Sequence, residues 1–435
     1  MVGEVQHYTC HREPLRLMKM PGKMFQWLAM AVISVCLIGD LAGSAIAQTF
    51  VGPDTVERQL ETDSEQTGAL ETPDLLGRWD AYKKALAEET GLTFSVDYTS
   101  LAFAATESTG DDFAASGMVR FLGAWELFTQ DTGDSGAIVL KGEHRHAYTT
   151  VAPSALGFDI GYVGILNGPF SDQGPRLTNL YWRQRLGSSR ATINAGLLDV
   201  TDYVDAYALG SPWTHFSNLA FSTGSGTIGA PNEATLGVAG GVFITDTFYA
   251  IAGIADANAD PTEPFHSFGT FFDEKDYFTS LEIGWTSARD RLIFDNVHAT
   301  IWHTDGSDEF GVNSGWGVAG SATWYVNDQW LPFLRGGFAS DGGALLEASI
   351  SAGFGWQPSP GPGQDLLGFG INWGRPNSNA FGPGLGDQWT GEIFYRLNVT
   401  DNLAVTPDIQ LIVNPALDPN KNAVGIFGLR VRLAV

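Results

Sequence analysis

The feature of the sequence that most constrains the fold is an alternation of apolar and polar residues, repeated in segments of about ten residues. Between residues 118 and 128, Val119, Phe121 and Trp125 fall on one side of an extended chain, and Arg120 and Glu126 fall on the other. Successive side chains of a β-strand point to opposite faces, so this pattern predicts a strand with one apolar and one polar face. Similar patterns recur at residues 177–186, 315–326, 346–356 and 427–435.

About sixteen such segments follow one another, each near the ten residues that a tilted strand needs to cross a bilayer. They are predicted to begin near residues 92, 117, 137, 177, 190, 234, 247, 277, 291, 314, 329, 344, 366, 389, 403 and 423. The links at Asn327–Asp328 and Asp401–Asn402 are short, whereas residues 199–233, 255–276 and 357–365 are long links that contain Pro. Short links on one side and long loops on the other are typical of a transmembrane β-barrel. We therefore predict an all-β, 16-stranded antiparallel barrel over residues 91–435, with both termini on the periplasmic side.

A soluble β-sandwich or propeller would show the same alternation, and two features favour the membrane barrel. Trp, Tyr and Phe lie toward the ends of the apolar faces, as in the aromatic girdles of membrane barrels. The opposite faces carry Arg and Glu, which a dry protein core would not accept. Only 17% of the residues are charged, against about a quarter in soluble domains. In lipid the sheet must close, because each unpaired backbone group would cost several kcal/mol.

Residues 1–47 are predicted to be a signal peptide that is removed on export to the outer membrane of a Gram-negative bacterium. Lys19 and Lys23 precede an apolar run over residues 24–38, and small residues lead to Ala47 in an A-x-A cleavage site. The run is shorter than the roughly 20 residues of a transmembrane helix. Cys10 and Cys36 both lie in this segment, so the mature chain is predicted to have no disulfide or thiol chemistry.

The remainder of the N-terminal region is predicted to have two parts. Residues 48–74 are polar and acidic without periodicity, and we expect a flexible leader. Residues 75–90 are predicted to form a short periplasmic helix, with Asp74 as its cap and Gly91 at its end.

The charges are unevenly distributed between the two strand faces. The chain has 49 acidic and 24 basic residues and a net charge of -25, which argues against nucleic acid as a partner. Many basic residues nevertheless fall on the inward face: Arg120, Lys141, Arg145, Arg183, Arg185, Arg335, Arg396, Arg430 and Arg432. Glu126, Glu143, Glu282, Glu347, Glu392 and Asp408 share that face. These side chains either form an ion-pair ladder that stiffens the wall or narrow the lumen at a constriction. Tyr181, Arg183 and Arg185 are the constriction candidates, because guanidinium groups donate to sugar hydroxyls and aromatic rings stack on pyranoses.

Catalysis and metal binding find little support in the sequence. His144 and His146 share a strand face, but that face is opposite Glu143 and Arg145 and no third ligand is evident. His298 is a single candidate on the lumen side. The sequence has no G-x-S-x-G, P-loop or H-E-x-x-H motif. We therefore expect no enzyme activity, no cofactor and no metal.

Several motifs together resemble the carbohydrate-selective porins of the OprB family. They are the Leu76–Trp79 stretch, the Glu143–His146 strand, the Asn179–Leu186 strand, the Gly196–Asp199 stretch with Asp202–Tyr203, and the C-terminal motifs at residues 406–410, 413–415 and 427–433. Two departures stand out. Leu197 and Leu198 occupy a stretch where the family usually has Lys, and Val435 replaces the usual C-terminal Phe, which the barrel-assembly machinery reads.

The resemblance implies a barrel of monomeric fold, with an eyelet lined by Arg and aromatic residues and long loops folded inward. It implies facilitated diffusion of mono- and small oligosaccharides into the periplasm. The predicted pore-lining residues are Arg120, Arg145, Tyr181, Arg183, Arg185, Glu282, Arg335, Glu347, Arg396, Arg430 and Arg432. A general or anion-preferring diffusion pore and a structural or adhesive barrel are the alternatives. The expected partners are sugars, outer-membrane lipid and the assembly machinery, and the pattern suits either a monomer or a homotrimer.

Overall fold

In the computed structural model, sixteen antiparallel strands close into one barrel in which every strand pairs with its neighbours in sequence and β1 pairs with β16. The structure describes residues 50, 52–70, 76–359 and 363–435. The predicted signal peptide with Cys10 and Cys36, and the predicted cap Asp74, lie outside these residues. The strands are β1 (Leu92–Ala105), β2 (Phe113–Thr129), β3 (Ser135–Ala147), β4 (Gly174–Leu186), β5 (Ala191–Leu198), β6 (Thr235–Phe243), β7 (Phe248–Asp256), β8 (Tyr277–Thr286), β9 (Asn296–Thr304), β10 (Gly315–Thr323), β11 (Trp330–Ala339), β12 (Leu346–Trp356), β13 (Leu366–Pro376), β14 (Gln388–Asn398), β15 (Leu403–Val413) and β16 (Ala423–Ala434).

The predicted fold class is confirmed, and the predicted strand starts fall close to the observed ones. β9 deviates most, because a turn of 3₁₀-helix at Arg289–Arg291 occupies the predicted start near residue 291. The alternation at residues 346–356 predicts that Leu346 lies on the apolar, lipid-facing side with Ile350, and for Leu346 this prediction is wrong. A register shift between Leu346 and Ala348 turns Leu346 inward, where it is buried against Val163 and Ala416. The alternation resumes beyond this bulge, and Ile350 is exposed.

Exposed aromatic side chains mark both rims of the outer surface. Trp125, Trp285 and Trp330 lie toward the rim that carries the short turns, and Trp316 and Trp389 lie toward the rim that carries the long loops. Such girdles place the apolar band between them in the bilayer. Among the described residues, no helix is long and apolar enough to cross a membrane.

The connections alternate between the two rims as predicted, with one exception. The links after β10 and β14, which contain Asn327–Asp328 and Asp401–Asn402, share the rim where β1 starts. The link between β12 and β13, of which residues 357–359 and 363–365 are described, follows an even-numbered strand, so it also lies on this rim, the predicted periplasmic one. Grouping this link with the long loops of the outer rim was therefore wrong. The outer rim carries residues 148–173, residues 199–234 (hereafter loop 3) and residues 257–276.

Five α-helices are present in the described residues: α1 (Val56–Glu65), α2 (Gly77–Thr90), α3 (Leu156–Asp159), α4 (Ser267–Asp273) and α5 (Ser378–Phe381). Helix α2 is the predicted N-terminal helix, and it ends at Gly91, whose φ of 75° suits a residue without Cβ. A flexible leader was expected over residues 48–74, but Val56–Glu65 form helix α1, which lies inside the barrel. We call residues 50 and 52–70 the strap. Val56 and Gln59 of the strap are buried, because side chains of the barrel wall pack against them.

Candidate functional site

Two of the predicted pore-lining arginines share one carboxylate on the inner wall. Arg120 Nε donates to Asp97 Oδ1 over 3.0 Å, and Arg432 Nη2 donates to Asp97 Oδ2 over 2.7 Å. Both arginines also reach the strap, because Arg120 donates to Gln59 and Arg432 Nη1 donates to Asp63 Oδ1 over 2.6 Å. These arginines therefore fix the strap to β1, β2 and β16.

The predicted constriction cluster on β4 is largely covered by the strap. Tyr181 is buried in one apolar cluster with Phe50 and Val56. Arg183 is ion-paired with Glu57 of α1 and, over 2.6 Å, with Glu126 of β2.

Arg185 differs from its neighbours on β4. Its side chain is half-buried, and it forms no hydrogen bond or ion pair with the described residues. It opens into a cavity on the periplasmic side of the strap. The three constriction candidates therefore differ in position: Tyr181 and Arg183 contact the strap, and Arg185 lies on its periplasmic side.

A second ion-pair network lies near the outer ends of β3 and β4. Arg145 donates to Glu143 over 2.8 Å and to Glu233 of loop 3 over 2.7 Å. Arg176, which the sequence analysis did not single out, also pairs with Glu233. One carboxylate of loop 3 is therefore clamped by two wall arginines.

The predicted residues on β8, β9 and β11 bind the opposite part of loop 3. Asp205 is buried, and its carboxylate pairs with Arg335 and lies 2.7 Å from His298 Nε2. The backbone N–H of Asp205 donates to Glu282 Oε2 over 3.0 Å. Arg335 also stacks over the ring of Tyr207 at 3.7 Å. His298, the single lumen histidine of the sequence analysis, is thus a loop anchor.

The wall formed by β14, β15 and β16 binds the middle of loop 3. Glu392 accepts hydrogen bonds from the backbone N–H groups of Ser217 and Asn218, at 2.6 and 2.9 Å. Arg430 donates to the backbone carbonyls of Pro212 and His215, both at 2.8 Å. Loop 3 is therefore held by opposite walls and lies across the lumen.

Two predicted pore-lining residues remain. Arg396 is buried near the end of β14 at the rim where β1 starts, and its Nη2 donates to the backbone carbonyl of Gln364 over 2.6 Å. Glu347 lies in the β12 bulge next to the exposed Arg375, and it forms no hydrogen bond or ion pair with the described residues. It lies away from the ion-pair clusters that the other predicted residues form.

Trp213 sits where loop 3 crosses the barrel. Its ring lies under two wall cations, Arg120 at 4.8 Å and Lys141 at 5.5 Å. Its indole Nε1–H has no acceptor among the described residues. Cation–π contacts of this kind fix the plane of an indole ring.

The strap crosses the lumen on the periplasmic side of loop 3. At one end Phe50 packs against Phe243 and Tyr249 in tilted ring contacts, where β6 ends and β7 begins. At the other end Gln66 donates to the carbonyl of Thr400 in the turn between β14 and β15. β7 and β15 are eight strands apart in a ring of sixteen, so the strap spans the barrel from one wall to the opposite one.

Loop 3 and the strap divide the lumen into cavities. An outer cavity of about 460 Å³ lies against loop 3 and includes Asp54, Arg145, Arg176, Asp199, Trp213 and Glu233. An inner cavity of about 320 Å³ lies toward the periplasm and includes Arg58, His215, Arg291, Phe294, Tyr325 and Arg396. Pro53 of the strap borders both. A side cavity of about 1290 Å³ lies between α1, α2 and the periplasmic rim, and it contains Arg183 and Arg185.

The carboxylates around Lys141 are electrostatically unusual. Burial raises the pKa of Asp54 to about 7 and that of Asp202 to about 8, although Lys141 lies close to both. Lys141 Nζ is 3.6 Å from Asp199 Oδ2. Asp54 and Asp202 therefore titrate near neutral pH, and because Asp54 lines the outer cavity, the charge of that cavity changes in this range.

The histidine pair of β3 lies on the outer surface of the barrel. His144 and His146 have ring centroids 5.4 Å apart, and His146 Nε2 lies 3.1 Å from the hydroxyl of the exposed Tyr98. In the part of the chain that the structure describes, no three His, Cys, Asp or Glu residues form a group that could hold a metal ion.

The sequence analysis missed the residues that the strap and loop 3 bring into the lumen, above all Asp54 and Trp213. The sequence analysis also did not single out Asp97 on β1, although the apolar residues on either side of it in the sequence indicate that Asp97 faces inward. Alternation identifies wall residues only, because loop residues have no periodicity that shows which way they point.

A sequence model described as "Carbohydrate-selective porin, OprB family" matches residues 126–311 and 295–434. No curated protein sequence matches the chain. Among solved structures, the high-pH structure of Pseudomonas putida OprB aligns with a TM-score of 0.64 and 15% identity, covering 85% of this chain and 99% of that one. The outer membrane channel DcaP of Acinetobacter baumannii aligns with a TM-score of 0.46 and 10% identity over 79% of this chain and 97% of that one. At 15% identity, the alignment with the Pseudomonas putida structure shows a shared fold and no more. The family relationship rests on the match to the sequence model.

Proposed function

The chain belongs to the carbohydrate-selective porin family, OprB, and is therefore an outer-membrane channel protein; we propose that mono- and small oligosaccharides cross it by facilitated diffusion along a single route. The route enters the outer cavity beside loop 3, passes Trp213 and Pro53, and leaves through the inner cavity. Loop 3 and the strap close off the remaining lumen.

The observation that carries this proposal is the setting of Trp213. An aromatic ring fixed in a passage and surrounded by charged groups is suited to a sugar, which offers an apolar ring face and a rim of hydroxyls. The acids and arginines of the outer cavity accept from and donate to such hydroxyls. No covalent chemistry is needed, because selectivity follows from the width of the passage and the groups along it.

A wide general diffusion pore fits less well. A barrel of sixteen strands is too wide to be filled by wall side chains alone, and here two chain segments lie across it. A structural or adhesive barrel would need no continuous passage, so a measurable conductance separates it from a porin.

The test is liposome swelling with glucose, maltose and small amino acids, on the wild type and on Trp213→Ala. We expect sugars to enter faster than amino acids of similar size in the wild type. In the variant, the ratio of the rate of sugar entry to the rate of amino-acid entry should fall roughly fivefold to tenfold, because an aromatic contact contributes about 1 kcal/mol. Trp389→Ala, which removes an exposed ring from the outer surface, is the matched control. Equal entry of all small solutes into wild-type vesicles would contradict sugar selectivity, and no entry at all would favour the structural barrel.

We also propose that export removes residues 1–47. Phe50 is packed inside the lumen against β6 and β7, and cleavage after Ala47 leaves two residues before it. N-terminal sequencing of the protein from outer membranes should give Gln48, and a start upstream of residue 40 would contradict this.

A further inference from the structure

The inner cavity has an electrostatic character opposite to that of the rest of the lumen. Its charged lining residues are three arginines and one aspartate: Arg58, Arg291, Arg396 and Asp328. The outer cavity has four acids and two arginines, and the side cavity has six acids and four basic residues. In a chain with a net charge of -25, a basic cavity on the route through the barrel requires an explanation.

Arg396 is the source of the uncompensated charge. Its side chain is 5% exposed, and within the described part of the chain its one side-chain hydrogen bond goes to the neutral carbonyl of Gln364. Its Nε has no acceptor among the described residues, and none of their carboxylates forms an ion pair with it, since Asp365 acts on it only at longer range. Arg58 and Arg291, by contrast, are ion-paired with Glu61 and Asp295. A buried guanidinium without a counter-charge is costly, and an anionic ligand would remove that cost.

Arg430, the neighbouring basic residue on the same wall, shows what a purely structural arginine looks like here. It donates three hydrogen bonds to loop 3, at 2.8, 3.2 and 2.8 Å. Arg396 has no comparable set of partners and faces the cavity. Its place therefore suits a ligand better than a loop anchor.

The opposite side of the inner cavity is aromatic. The rings of Phe294 and Tyr325 lie 5.7 Å apart, Arg58 lies over the first at 5.7 Å, and Arg291 lies over the second at 5.5 Å. Burial, reinforced by Arg396 and Arg430, lowers the pKa of His215 well below its usual range. His215 is therefore a neutral hydrogen-bonding group at neutral pH, and it adds no second positive charge.

We propose that the inner cavity binds a monosaccharide that carries a carboxylate, a sugar acid, with the carboxylate on Arg396 and the ring beside Phe294 and Tyr325. The proposal rests on the sugar-porin function and names a class of substrate for it. A volume of about 320 Å³ lies at the small end of ligand pockets, which span about 300–1,000 Å³, so one sugar ring is expected there and not an oligosaccharide. A guanidinium is the group best matched to a carboxylate in shape and charge.

The experiment measures the block of ion current through the full-length mature protein in planar bilayers, with glucuronate, glucose and acetate as probes. The wild type should be half-blocked by glucuronate at a concentration at least tenfold lower than by glucose or acetate. The ratio of the half-blocking concentration of glucose to that of glucuronate should fall roughly tenfold in Arg396→Gln, since hydrogen bonds to charged groups are among the stronger ones. Arg396→Lys keeps the charge and should restore part of the ratio. Arg375→Gln, which alters an exposed arginine on the adjacent strand β13, should leave the ratio as in the wild type.

Several results would overturn the proposal. Equal block by glucuronate and glucose in the wild type would show that the carboxylate is not recognised. Equal block by acetate and glucuronate would show that the ring is not recognised. A ratio that is unchanged in Arg396→Gln would remove Arg396 from the site. Failure of the sugar-porin function gives a different result, because wild-type vesicles in the liposome-swelling test would then admit all small solutes equally or admit none.

Discussion

Asp205→Asn is the substitution that tests most directly whether loop 3 forms the barrier in the lumen. Asp205 is the buried counter-charge of Arg335 and the partner of His298. Burial alone would raise its pKa, but Arg335 and the hydrogen bond from His298 hold that pKa below its usual range. Asparagine keeps the size of the side chain and removes the charge, so Arg335 is left buried without a counter-ion.

The free-energy cost of Asp205→Asn depends on the contacts that Arg335 keeps. Breaking one partner of a buried ion pair costs about 3–5 kcal/mol. Arg335 keeps hydrogen bonds to the carbonyls of Ser222 and Asp205 and its contact with Tyr207, so we expect about 3 kcal/mol. The sixteen-stranded wall does not depend on this pair, so the loss falls on the docking of loop 3. A change of about 3 kcal/mol shifts the docking equilibrium roughly 150-fold toward release.

Single-channel recording checks this expectation. Asp205→Asn should give larger and noisier open-channel currents than the wild type and a weaker preference for sugars in liposome swelling. Asp205→Asn combined with Arg335→Gln removes both charges and should return part of the wild-type current. Asp246→Asn, at an exposed ion pair with Arg289 on a periplasmic turn, should change nothing, because exposed pairs contribute about 0–1 kcal/mol. A wild-type current from folded Asp205→Asn protein would refute the view that loop 3 is held by this pair.

Three further predictions concern the strap and the start of the barrel. Burial raises the pKa of Asp54 to about 7 from an ordinary value near 3.9, so docking of the strap is strongest below about pH 4 and weakens as pH rises through about 7. Single-channel conductance should therefore rise over this pH range, and Asp54→Asn should flatten the dependence of conductance on pH. Glu57→Gln with Asp63→Asn removes two anchors of the strap while the wall arginines keep their wall carboxylates, so conductance should increase, and an unchanged value would count against the strap as a barrier. Gly91→Ala forces a Cβ into a left-handed position 2.2 Å from the carbonyl oxygen of Glu126 and should cost about 1–2 kcal/mol or more, visible as a lower denaturant midpoint in detergent.

The wall of the barrel could be predicted from the sequence because one physical rule governs every strand. Lipid on one side and a polar lumen on the other force the alternation, and strand starts such as those of β1, β8 and β15 follow from it directly. The rule fails where the backbone departs from it. At Leu346 a bulge reverses the face, and no side-chain pattern in the sequence records that extra residue.

The functional interior could not be predicted to the same extent, because it is built by segments that cross the lumen. Tyr181 and Arg183 have the composition of a sugar site, yet the strap covers them. Trp213 lies in a Pro- and Gly-containing loop, where its direction is set by Arg120 and Lys141 on distant strands. Contacts of such long range have no local signature in a single sequence.

The arrangement explains why so acidic a protein concentrates its arginines inside the barrel. Most of them hold carboxylates or carbonyls of loop 3 and the strap, as Arg335 holds Asp205 and Arg432 holds Asp63. An arginine used in this way is not available to a solute, so the number of lumen arginines overstates the basic character of the passage. On the proposed route a solute would meet the remainder, chiefly the part of Trp213 that borders the outer cavity and the cavity around Arg396. Changes of solute preference should therefore be obtained by substitution at these positions, whereas substitution at the paired arginines should first release the segments that narrow the lumen.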